Sequence, residues 1–129
     1  MSEYNNKALP NLILQGLISE NIHVKSKIKV YRSYMSDVNL IKTLLNLFQK
    51  IKDDFLVLNL GSDKIISLEN LANIIAKITN KNLVKNYYIS KKKNFYVPSI
   101  KISKKIIKTE HNKNNIMRDI KSMIAHFKK

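Results

Sequence analysis

"VLNLGSDKIISLENLANII", residues 57–75, holds the decision about the fold. An apolar run meets a turn at Gly61 and hands over to an amphipathic helix opened by Ser67. The run "FLVLNL", residues 55–60, is apolar at every position but Asn59 and has the length of a strand. Such continuity predicts burial on both faces, as in a parallel or mixed sheet. Gly61 predicts a turn conformation that side-chain-bearing residues resist. Ser67 is placed to cap a helix in which Leu68, Leu71, Ala72, Ile75 and Ile78 recur at helical spacing. Strand, glycine turn and helix is the order in which nucleotide-binding folds build a pocket. A dinucleotide fingerprint or a phosphate loop needs several glycines close together, however, and this chain has only Gly16 and Gly61.

Working outward, residues 8–19 place Leu9, Leu12, Ile13 and Leu17 on one helical face, with Pro10 in the first turn where no backbone donor is needed. "IHV" and "IKVYRSYM" have the β-branched and aromatic content of short strands. Asp37 is positioned to cap a second helix with an apolar stripe of Val38, Ile41, Leu44, Leu45 and Phe48, ended by the charged "KIKDD". Downstream, "NYYIS" has strand character and "KKKN" that of a solvated loop. Ser99 is placed to cap a short helix with Ile102 and Ile106 inward. A last helix carries Ile116, Ile120, Met123, Ile124 and Phe127 on one side. The order is mixed α/β, with about five helices and short strands in a single domain over 1–129.

The 129 residues suffice for one modest core. Without cysteine there is no disulfide, no cysteine-ligated zinc and no thiol nucleophile. No apolar run approaches the roughly 20 residues of a membrane span, and the N-terminus lacks a signal-peptide pattern. A cytoplasmic protein with no membrane partner is the expectation. The formal charge is +15, from 24 basic and 9 acidic residues. That balance raises nucleic acid or an anionic surface as partner, through the lysines of 91–93, 101–108 and 121–129. All but two of the basic residues are lysine, however, and lysine, asparagine and isoleucine all have A/T-only codons. Base-reading proteins also favour the planar fork of arginine, and only Arg32 and Arg118 are present. Nucleic acid is therefore the secondary expectation.

Few residues carry recognisable chemistry. His23, His111 and His126 are scattered without metal-ligand spacing, so no metal site is expected. Asp53 and Asp54 are adjacent and diverge rather than pair. Tyr87 with Lys91, and Tyr88 with Lys92, have the spacing that sets a phenol beside an ammonium on a helix. Six tyrosines in so lysine-rich a chain produce such a match by chance, and no catalytic residue is assigned.

Three segments taken together resemble one family. "KVYRSYMSDVNLIKTLL", residues 29–45, resembles the arginine-plus-aromatic strand and following helix of the extended short-chain dehydrogenase/reductases, the NAD-dependent epimerases and dehydratases of nucleotide sugars. "LNLGSDKIISLENLANII", residues 58–75, is similar to their Asn-x-Gly-Ser turn and Ser-x-x-x-Leu-Ala helix. "FYVPSIKISKKI", residues 95–106, is similar to their Tyr-x-Pro-Asp turn and short helix. The resemblance runs over residues 8–128 and covers only the family's C-terminal, substrate-binding part. It implies a small fragment of an extended Rossmann-type enzyme that closes over a nucleotide-sugar diphosphate. The NAD-binding half, with its glycine-rich turn and tyrosine-lysine pair, would belong to another chain or a lost segment. No cofactor is then expected in this chain, and no oxidoreductase activity from it alone.

Arg32 matches the family arginine that contacts the substrate diphosphate, and its fork suits phosphate oxygens. Asn59 matches the turn asparagine, with a structural role. The chain departs from the pattern at "SKIK" before the arginine strand, at Val38 and Asn39, at Ser99 and at Lys108. Near "KKKN" only lysines stand where a second phosphate-binding arginine is often found.

Overall fold

The computed structural model describes residues 7–52, 55–84, 88–107 and 116–128. Five helices and five short strands follow one another: α1 (Ala8–Ile18), β1 (Asn21–His23), β2 (Lys29–Ser33), α2 (Asp37–Lys50), β3 (Ile65–Ser67), α3 (Leu68–Thr79), β4 (Asn82–Val84), β5 (Lys93–Tyr96), α4 (Lys101–Ile106) and α5 (Ile116–Phe127). The chain is mixed α/β, as its patterning predicts.

Helix α3 is the hub. The Ser67 hydroxyl accepts from the Asn70 amide at 3.1 Å, which satisfies one of the orphan donors of the first turn. At the other end Asn80 adopts the left-handed conformation that asparagine tolerates, with φ 54°. Between these stops Leu71, Ala72, Ile75 and Ala76 are buried. Leu12 and Ile13 of α1, Ile22 of β1, Val24, and Ile120 and Ile124 of α5 close around them as one core.

Two small sheets flank this hub. β1 pairs in parallel with β4, Ile22 opposite Leu83. β4 has no distinct signal in the sequence. The second sheet has the order β3-β2-β5. β3 is antiparallel to β2, with Arg32 opposite Ile66, and β5 is parallel to β2, with Tyr31 opposite Phe95 and Arg32 opposite Tyr96. Ile66 and Tyr34 pack against the core. Residues in register share a face, so Arg32, Ile66 and Tyr96 lie on the α3 side. Lys29, Tyr31, Lys93 and Phe95 lie on the outer side.

Several expectations fail, each for a tertiary reason. The run 55–60 joins no sheet among the described residues, and no backbone-to-backbone hydrogen bond ties it to another segment there. It keeps the alternation of a strand, with Leu56, Leu58 and Leu60 half-buried, while Phe55 is 84% and Val57 73% exposed. Helix α2 presents its apolar stripe to solvent. Val38, Ile41, Leu44, Leu45 and Phe48 are all exposed, Phe48 to 82%, and the buried positions are Thr43 and Leu47 on the opposite side. Its N-cap is Ser36 rather than Asp37, whose Oδ1 accepts instead from the Val38 amide at 2.7 Å. Lys93 and Asn94 of the expected "KKKN" loop belong to β5. In "NYYIS", Asn86 and Tyr87 lie outside the described residues, and Tyr88 and Ile89 belong to no strand. Ile100, not Ser99, is the N-cap of α4. That helix buries Ser103 while Ile102 is exposed, and Ile100 and Ile107 on either side of it fill the interior.

Candidate functional site

Arg32 is half-buried on β2, one strand in from the sheet edge. Parallel pairing with β5 brings Asn94 and Tyr96 beside it. Its Nη1 donates to the Tyr31 carbonyl at 2.8 Å, to the Asn94 Oδ1 at 2.8 Å and to the Asn94 carbonyl at 3.4 Å. The guanidinium carbon stands 5.9 Å from the centre of the Tyr96 ring, within cation–π range. All the hydrogen bonds described for Arg32 leave from Nη1. The fork is thus held through one nitrogen.

The turn after 55–60 meets the approach to α4. Asn59 Nδ2 donates to the Ser99 carbonyl at 3.3 Å. Gly61 lies against Pro98, so that a Cβ on the glycine would sit 2.7 Å from the proline Cγ. Lys104 of α4 pairs with Asp63 just after the turn. Gly61 does not have a positive φ, so the expected special turn conformation is absent. The position needs glycine because of the ring packed on it.

Two phenols near β2 are shifted. Burial pushes the Tyr34 phenol above its ordinary pKa of 10.0, and the positive charge of Arg32 draws it partly back. Partial burial likewise raises Tyr88, and the hydrogen bond its hydroxyl donates to Glu69 at 3.1 Å adds to the shift. That is the opposite of what an acid-base tyrosine activated by lysine requires. The cation over the Tyr88 ring is Lys29, at 5.8 Å, rather than Lys92. Tyr87, Asp53, Asp54 and His111 lie outside the described residues.

The structure adds little other site chemistry. Among the described residues no three His, Cys, Asp or Glu side chains gather at metal-binding distance. A cavity of about 260 Å³ lies between the start of α1 and the stretch after β1, lined by Asn11, His23, Lys25 and Ser26 among others. Arg32 does not line it. Neither glycine fits a dinucleotide cradle. Gly16 is packed against Thr79, whose side chain would meet an added Cβ at 3.0 Å, and Gly61 against Pro98. Neither glycine leaves its backbone open for a pyrophosphate to approach.

Asn94 and Tyr96 are the site residues that sequence reasoning missed as partners of Arg32. Tyr96 was visible in "FYVPS", but nothing local says that its strand pairs with β2. No helix among the described residues is long and apolar enough to cross a membrane. No protein-family model matches the chain, and no curated protein matches it.

Proposed function

We propose that this chain is the substrate-binding portion of an NAD-dependent epimerase or dehydratase of nucleotide sugars, a piece of an extended Rossmann-type enzyme. The NAD-binding half of such an enzyme lies outside these 129 residues, which have no oxidoreductase activity alone. The observation that carries this reading is the apolar surface left unused. A stripe of five large side chains on α2 is exposed, as are Phe55 and Val57 of the extended stretch 55–60, which pairs with no strand among the described residues. Burying one such side chain is worth roughly 1.5–3 kcal/mol. A chain with its own complete core would turn these residues inward. An obligate partner covers them, through an interface resembling a domain core cut in two.

Arg32 is the substrate contact in this reading. Asn94 and the Tyr96 ring hold the guanidinium by one nitrogen, and the remaining donors take diphosphate oxygens in the planar, two-pronged geometry that suits them. The nicotinamide and the acid-base pair belong to the absent half, so this chain binds and orients without transferring hydride.

The test is co-expression with the protein of a neighbouring reading frame that carries a glycine-rich NAD motif. A stable 1:1 complex with NAD-dependent turnover in a panel of nucleotide sugars, lost on Phe48→Glu through dissociation and on Arg32→Ala through a raised KM, is the expected result. Absence of both association and turnover overturns the reading.

A further inference from the structure

The outer face of the β3-β2-β5 sheet has chemistry that the sugar-nucleotide reading does not use. Register places Lys29 opposite Lys93 and Tyr31 opposite Phe95 on this face. The Tyr31 and Phe95 rings are stacked, 4.5 Å between centres and 6° from parallel. Lys29 reaches from the same face over the Tyr88 ring. Two stacked rings and two lysines therefore share this face, the Tyr88 ring, whose hydroxyl is bonded to Glu69, lies beside Lys29, and Lys91 and Lys92 directly precede β5 in the chain.

The patch is open on its most exposed side. β5 is the edge strand, and all four of its residues are exposed, Phe95 to 57%. One face of the Phe95 ring is stacked on Tyr31, and the residue stays more than half exposed on this edge strand. No carboxylate pairs with Lys29, Lys91, Lys92 or Lys93 among the described residues. Core packing does not explain the arrangement, because α3 covers the opposite face of the sheet.

We propose that this face binds single-stranded nucleic acid, with a base stacked on Phe95 and backbone phosphates on Lys29 and Lys91–Lys93. The scarcity of arginine argues against reading base edges, but a stacking site has no need of base edges. Every base offers a π-face, and phosphate neutralisation requires only positive charge. A duplex keeps its bases stacked on each other and has nothing to place on an edge ring. The proposal is independent of the function assigned to Arg32, which lies on the other face.

The experiment is fluorescence anisotropy with labelled dT12 and U12 and with a 12-base-pair duplex, across a salt series, on the whole chain. The single strands are expected to bind more tightly than the duplex. Phe95→Ala should weaken them about 10-fold, as loss of one stacked base does, without changing the salt slope. Lys93→Ala should lower the slope by about one contact. Phe95→Leu keeps apolar bulk but cannot stack, and should behave like Phe95→Ala if both melt with the wild type. Equal affinity for duplex, or for heparin, or indifference to both Phe95 variants, would leave a basic surface that holds any polyanion and would overturn the proposal. Indifference of oligonucleotide binding to Arg32→Ala is expected, so failure here is separable from failure of the sugar-nucleotide reading.

Discussion

Gly61 and Pro98, 37 positions apart in the chain, are in such close contact that a methyl group on the glycine would overlap the proline ring, 2.7 Å from its Cγ. This contact joins the turn after 55–60 to the approach to α4, and the hydrogen bond from Asn59 to the Ser99 carbonyl runs beside it. A proline ring cannot swing aside as a lysine can. Gly61→Ala is expected to cost about 1–3 kcal/mol through overpacking. In a Pro98→Ala background the same change should cost much less. A double-mutant cycle by urea denaturation measures the difference, and additive effects would refute the contact.

The Ser67 cap makes a second prediction. Its hydroxyl is the observed acceptor for the Asn70 amide at the start of the central helix. Ser67→Ala should cost about 1 kcal/mol, and Ser67→Asp should restore most of it. Thermal melts of the three proteins decide the matter.

The two raised phenols predict an alkaline loss of stability. Tyr34 and Tyr88 keep their protons in the folded chain beyond the ordinary value of 10.0. The unfolded chain then releases protons first as pH rises. Their contribution is complete below about pH 10 and is lost as pH rises through the folded-state values. Tyr34→Phe should flatten the fall in urea midpoint above pH 10, and absorbance at the phenolate band should show one late-titrating tyrosine fewer than in the parent.

Arg32 and Asn94 predict a division between charge and shape. Arg32→Lys keeps the charge but loses the planar fork that bonds Asn94 and stacks near Tyr96. If the proposed assembly with an NAD-binding half forms, the change should raise its KM for a nucleotide sugar about 10-fold or more with a smaller effect on fold stability. A melting temperature that falls as steeply as affinity would instead make Arg32 a structural residue.

The exposed α2 stripe predicts an inversion of the usual rule for apolar residues. Leu45→Lys and Phe48→Lys remove large exposed side chains without opening the core. The isolated chain should become more soluble and no less stable, within about 0.5 kcal/mol. The same variants should lose the proposed partner in co-purification.

Much of this fold can be read from its residues alone. α1, α3 and α5 follow from apolar spacing, and α3 from its cap as well, because a helix makes its backbone hydrogen bonds within its own span. The burial of Leu71, Ile75, Ile120 and Ile124 follows for the same reason. Strand partners do not, because a ladder joins residues that local sequence cannot relate. Hence β5 pairing with β2, the meeting of Arg32 with Asn94 and Tyr96, and the lack of a strand partner for 55–60 among the described residues appear only in three dimensions. Apolar periodicity announces that a face is to be covered, and it did so correctly for α2 as a helix. It carries no information on whether the cover lies in the same chain. Only the packed structure decided that Val38, Ile41 and Phe48 face outward, since burial depends on which surfaces the rest of the chain has left to offer.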